Sequence, residues 1–347
     1  MSAEFKAVQW NRRKIVYDAI VLVGIAVVIG GFILSGIWLD PPKKAPDWID
    51  LRLRACGFCA FLMITLILSI GPLARLYPRF LPLLHNRRHF GVMAFCVALV
   101  HGASVFDWFY EQNALPFVFN ELTTLTNYTT FIGFTTKALG LAALSILFVL
   151  AATSHDYWLA FLTPHVWKSL HMAIYLAYAI LVLHVSLGIM QDNRSVLVPL
   201  LLASCFVSVV VLHLLAGWKE RTIDCGRELT REGWIAVGPP QAIEDRRAVI
   251  VAPQGGERIA VFRDGTVLSA VTNLCAHQMG PLGEGRVIDG CIVCPWHGYE
   301  YRLEDGCAPP PFTEKLATYR LRLNNGIVEV DPNPLPPGTP AALRLSI

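Results

Sequence analysis

Long apolar stretches occupy most of the first 218 positions, and short alternating runs replace them afterwards. Six stretches, at about 15–39, 55–74, 90–110, 131–152, 166–190 and 196–218, each hold 18 residues or more with few charges. A helix rises about 1.5 Å per residue, so each can cross a hydrocarbon layer of about 30 Å. The first is too long for a cleaved signal peptide and has no clear cleavage site, so it reads as an anchor. From about Glu228 the pattern changes to strands, in "WIAV", "RAVIVA", "RIAVFRDGTVLSAV" and "GIVEV", with turn signals at Asp264-Gly265 and Asn325-Gly326. The pattern predicts a membrane all-α bundle of six helices over 1–220, then a small all-β domain over 221–331. The Pro-rich "DPNPLPPGTP" places an extended or disordered tail over 332–347. No internal repeat of solenoid period is visible.

Composition agrees with that division. Of the 347 residues, 54% are hydrophobic and only 16% charged, too apolar for an ordinary soluble chain. Membrane lipid is therefore an expected partner. The net charge of +3 comes without a basic cluster interleaved with aromatics, so no nucleic-acid partner is expected. Lys and Arg set the orientation. With the N-terminus inside, twelve of them, from Lys6 to Arg227, fall in inner segments, against Lys43, Lys44, Arg52, Arg54 and Arg194 outside. Six crossings return the chain to the inner side. The expectation is an integral protein of the cell inner membrane with its β domain in the cytoplasm.

Nine cysteines in a chain of this size read better as metal ligation than as a disulfide framework. Cys275-x-His277 is followed, sixteen residues later, by Cys294-x-x-His297. Two cysteines and two histidines are also a zinc set. The order of the ligands, with "HQMGPLGEG" after the first pair and "PWHGYEY" around the second, resembles a Rieske [2Fe–2S] domain over about 230–331. The resemblance includes the proline loop "APPPF". It implies that Cys275 and Cys294 hold one iron and that His277 and His297 hold the outer, solvent-facing iron. Neutral imidazoles in place of two thiolates raise the potential of such a cluster.

Departures from the quinol-oxidising members are informative. Their extra disulfide falls at Gly280 and Trp296, where it cannot form, and their serine near the bridging sulfur is Tyr299. Fewer hydrogen bonds make the cluster harder to reduce, so a potential near the lower end of about −150 to +300 mV is expected. Cys291 and Cys307 are expected to be free thiols.

Of ten histidines, the eight outside the cluster motif all lie within 85–213. Ionisable groups inside spans are costly and point to function. "RRHFGVMAFCVALVHG" and "KSLHMAIYLAYAILVLH" resemble ferric-reductase-like transmembrane domains, which bind b-type haem between histidines of the third and fifth spans. The resemblance implies His101, His171 and His184 as ligands of one or two haems. His101 and His184 are matched in depth in the outer half. His171 lies near the inner face, with His89 or His213 as a candidate partner. On an ideal helix His171 and His184 would point roughly 140° apart, so either the helix is irregular or they serve different cavities. His85, His155 and His165 read as inner-loop residues, Cys56-x-x-Cys59 as packing, and Lys137 as an interfacial cation.

Together these parts describe a membrane oxidoreductase component carrying electrons between a cytoplasmic cluster and membrane haem. No G-x-G-x-x-G opens a βαβ unit, so a separate reductase or quinol is expected as donor, with an acceptor that the sequence leaves unnamed. A Rieske oxygenase would need a two-His-one-carboxylate iron, and no histidine follows His297. The other alternative is a non-catalytic redox sensor or assembly factor that uses the cluster alone.

Overall fold

The computed structural model describes residues 12–84, 86–111, 128–191, 197–224, 226 and 228–345. His85, Arg194 and residues 112–127 lie outside them. Among the described residues seven main helices form: α1 Arg12–Leu39, α2 Ala45–Leu76, α3 Arg87–Glu111, α4 Tyr128–Ala152, α5 Asp156–His171, α6 Ala173–Gln191 and α7 Leu197–Asp224. They supply six segments long and apolar enough to span a membrane, as the hydropathy pattern predicts.

Two departures from that pattern have local causes. Helix α2 starts ten residues before the expected apolar stretch. Asp47 reaches back to accept the backbone N–H groups of Lys43 and Lys44 at 2.9 and 3.0 Å, which satisfies donors that a helix start leaves open. The fifth segment is irregular. Thr163 has φ 63° just before Pro164, whose ring disfavours a helical residue in front of it. A second break separates α5 from α6 at Met172.

The chain forms two compact units. Of the described residues, one holds 12–70 and 86–212, the other 71–84 and 213–345. In the first, Phe61 and Ile64 of α2, Ala94 and Val97 of α3, Leu147 of α4, Tyr178 of α6 and Val209 of α7 share one apolar core. Leu34, Phe106, Leu141 and Leu176 face outwards, as side chains in contact with lipid do.

The described residues of the second unit carry eleven short strands. β1 (Ile235–Gly238) pairs with β10 (Ile327–Val330), which pairs with β9 (Leu321–Asn324). β2 (Ala248–Val251), β3 (Ile259–Asp264) and β4 (Val267–Thr272) form a meander, edged by β8 (Thr318–Tyr319) and β11 (Leu343–Arg344). β5 (Arg286–Ile288), β6 (Cys291–Val293) and β7 (Glu300–Arg302) make a third small sheet. The Asn325-Gly326 turn has both residues at positive φ, the conformation that joins β9 to β10 tightly. The Pro-rich tail is extended but not free. Leu335 and Gly338 donate to the carbonyls of Thr318 and Leu316, and the chain then adds β11 to the edge of β4. The prolines leave enough N–H groups to dock it, which composition alone does not reveal.

Within this unit Glu284 sits beside Arg75, 3.8 Å away, near the Arg258–Glu220 ion pair. Burial pushes the Glu284 carboxyl up to about 7, against the pull of Arg75. The unfolded chain ionises first, near the ordinary glutamate value of 4.5. Stability is therefore full below about pH 4.5, falls as pH rises to about 7, and is level above. Glu284→Gln is expected to stabilise the unit by up to about 3 kcal/mol at pH 8 and by nothing at pH 4. Chaotrope unfolding at both pH values checks this, and an unchanged midpoint at pH 8 counts against it.

Candidate redox centres

Two loops with matching backbones carry the cysteine–histidine motifs. In each, the cysteine carbonyl accepts the N–H four residues on, from Met279 at 2.7 Å and Gly298 at 2.9 Å. The cysteine N–H donates to the carbonyl five residues on, that of Gly280 at 2.9 Å and Tyr299 at 2.8 Å. Met279 and Gly298 both have positive φ, which closes each loop. Cys275 and Cys294 are buried at 1% and 2% exposure. The Cys294 thiol, hydrogen-bonded to Cys275, pushes Cys275 down to about 7, while that same bond and burial push Cys294 up. The tyrosine hydroxyl of Tyr301 lies 3.3 Å from Cys275 Sγ.

The His277 and His297 rings are 5.3 Å apart at 85°. Two imidazole nitrogens each about 2 Å from one metal put their ring centres about 3 Å from it; at a tetrahedral angle the centres are then about 5 Å apart, and on opposite faces about 6 Å. The pair therefore fits neighbouring positions on one tetrahedral metal. Among the described residues no three His, Cys, Asp or Glu side chains converge as on a single ion. A thiol pair and a separate imidazole pair suit a two-iron cluster better than one zinc. His277 stacks on Tyr299 at 4.9 Å and 12°, and the Tyr299 hydroxyl donates to Glu314. The space that a disulfide would need at Gly280 is filled: a Cβ there would lie 3.0 Å from the Trp296 ring and 3.1 Å from Cys294 Sγ. All eight described cysteines, Cys291 and Cys307 included, are free.

In the helical unit the His101 and His184 rings are 6.1 Å apart at 82°. That is the separation of two imidazoles on opposite faces of one iron. His101 Nδ1–H donates to the Leu53 carbonyl at 2.9 Å, and His184 Nδ1–H to that of Thr136 at 2.7 Å. Both Nε2 atoms are thereby left as the unprotonated nitrogens a metal needs.

His171 is not brought to this pair. It ends α5, where its Nδ1–H donates to the Trp167 carbonyl at 3.0 Å and its ring stacks on Trp167 at 3.8 Å. Its Nε2 is buried and forms no hydrogen bond among the described residues. His89 faces Asp18 instead, at 3.2 Å, a carboxylate only 5% exposed. Residue patterns missed Tyr301, Glu314 and Asp18. Tyr301 stands in the motif itself, and Asp18 is a lone acid within the first apolar stretch.

Comparison with known proteins matches both halves. Residues 233–320 fit the family described as "Rieske [2Fe-2S] domain", and residues 54–182 the "Ferric reductase like transmembrane component". The anthranilate 1,2-dioxygenase ferredoxin subunit of Burkholderia cepacia is 40% identical over 30% of this chain and 96% of its own length. The cholesterol 7-desaturase nvd of Xenopus laevis is 35% identical over 23% of this chain but only 17% of its own length. Among solved structures, a chain from the complex of reduced oxygenase and oxidized ferredoxin in carbazole 1,9a-dioxygenase is 25% identical, with a TM-score of 0.29, over 30% of this chain and 99% of that one. The chain belongs to the Rieske [2Fe–2S] family, and its Rieske domain follows a ferric-reductase-like transmembrane component.

Proposed function

We propose that this membrane electron-transfer protein passes electrons between its Rieske cluster, on the cytoplasmic side of an inner membrane, and b-type haem held in its helices. The single observation that carries the proposal is the His101–His184 pair, two rings 6.1 Å apart with both Nδ1 atoms engaged. Cluster and haem supply one-electron chemistry when bound. Cys275 and Cys294 hold one iron of the cluster, and His277 and His297 hold the exposed one. His101 and His184 would together hold a haem. His171 serves a second haem nearer the inner face. A separate reductase or hydroquinone supplies the electrons, and an acceptor outside the chain takes them.

The ferredoxin subunit similar over nearly its whole length supports an electron carrier. The desaturase matches over less than a fifth of its own length, so its activity is not carried over. The purified protein should show a reduced b-type haem spectrum and a Rieske electron paramagnetic resonance (EPR) signal. A cluster signal without haem absorbance would overturn the conduit and leave a sensor.

The Tyr301 hydroxyl tunes the cluster. A donor on a ligand sulfur favours the reduced state, so Tyr301→Phe should lower the midpoint. A hydrogen bond worth about 1 kcal/mol corresponds to about 40 mV for one electron. A redox titration followed by EPR checks this, and a raised midpoint contradicts it.

A further inference from the structure

We propose that a duplicated device, a backbone carbonyl plus a glycine one helical turn further on, positions both histidines of the membrane pair. Leu53 and His101 are 48 residues apart, and so are Thr136 and His184. Four residues after each carbonyl stands a glycine, Gly57 in α2 and Gly140 in α4. A shift of 83 residues carries Leu53, Gly57 and His101 onto Thr136, Gly140 and His184. The same shift lays "LRACG" over "TKALG", and the buried Ala60 and Ala94 over the buried Ala143 and Ala177. The carbonyl–glycine–histidine arrangement of α2 and α3 thus recurs at the same spacing in α4 and α6. The repeat breaks at the inner end, where Arg88 stands in the place of His171.

The glycines have a steric reason. A helix carbonyl already accepts the N–H four residues on, and its second lone pair can take an imidazole N–H from the side. Residues four apart lie on one helix face, so a side chain at the fourth position would cover that approach. A Cβ on Gly57 would lie 2.8 Å from His101 Nδ1, and one on Gly140 would lie 2.8 Å from His184 Cε1. Alanine at either place forces the ring off its carbonyl. With it goes the bond that fixes the tautomer and leaves Nε2 unprotonated. Gly57 and Gly140 are therefore positioning residues for the pair, an inference that rests on the haem reading above.

The test compares Gly57→Ala and Gly140→Ala with Gly91→Ala, where a Cβ meets nothing within 4 Å, and Gly36→Ala, where it is crowded 2.5 Å from Leu51 rather than by a histidine. Haem per protein is read by pyridine haemochrome and ligation by low-spin EPR, with the Rieske signal as the control for folding. The first two variants should lose affinity for the haem at least about tenfold, the size of a lost second-shell partner, or shift its low-spin signal, and the other two should do neither. Wild-type haem content and signal in Gly57→Ala and Gly140→Ala would overturn the proposal. Absence of haem from the wild type would instead overturn the functional reading. Should Gly57→Ala fail to accumulate, adding His101→Ala removes the clashing ring. Gly57→Ala/His101→Ala should then accumulate and melt like His101→Ala alone, and failure to do so would also overturn the proposal.

Discussion

His101→Ala and His184→Ala are each expected to abolish the same b-type haem, with the same spectral loss. Both substitutions would take a ligand from the same iron, so each is expected to remove the same bis-imidazole spectrum. The rings stand 6.1 Å apart, and each is fixed by a carbonyl of a different helix, so neither substitution offers the other a replacement ligand. His171→Ala should remove a different band, since that ring is held against Trp167 and not in the pair. The ratio of haem to cluster in the wild type, from pyridine haemochrome and iron–sulfur analysis, is expected to be two. Two centres also divide a crossing of about 30 Å into shorter transfers. A ratio of one, with all three substitutions erasing one band, would refute the two-haem chain.

The parts of these centres that sequence reveals are those where chemistry forces residue type and spacing together. Cys275, His277, Cys294 and His297 are legible because few other uses of two thiols and two imidazoles keep that order. His101 and His184 are legible because an imidazole inside an apolar span is expensive. Gly57 and Gly140 are not, because glycine among small residues in a membrane helix fits ordinary packing equally well. Their meaning appears only when the histidine opposite each is placed. Asp18 and His89 lie 71 residues apart, so their pairing needs the tertiary fold. Pro164 announces a kink, whereas nothing in the residues around Met172 marks the break that separates α5 from α6.

Cys294→Ser is expected to eliminate the Rieske EPR signal and leave haem absorbance intact. Serine is isosteric, but its alkoxide is a far poorer iron ligand, and the cluster needs both thiolates on one iron. The residues that shape the site all belong to the β unit. Cys294 donates to the Tyr299 carbonyl and accepts from Gly298, Tyr301 reaches Cys275, and Trp296 packs over Gly280. His101 and His184 belong to the other compact unit, with their hydrogen bonds to Leu53 and Thr136 inside it. Loss of the cluster thus takes no ligand or ligand support from the haem. The variant protein, purified in detergent, should keep the wild-type haem-to-protein ratio within about 20%, since sites without shared partners respond independently. Loss of haem alongside the cluster would mean that the β unit must be loaded before the helices can retain haem, and the two centres would then assemble as one.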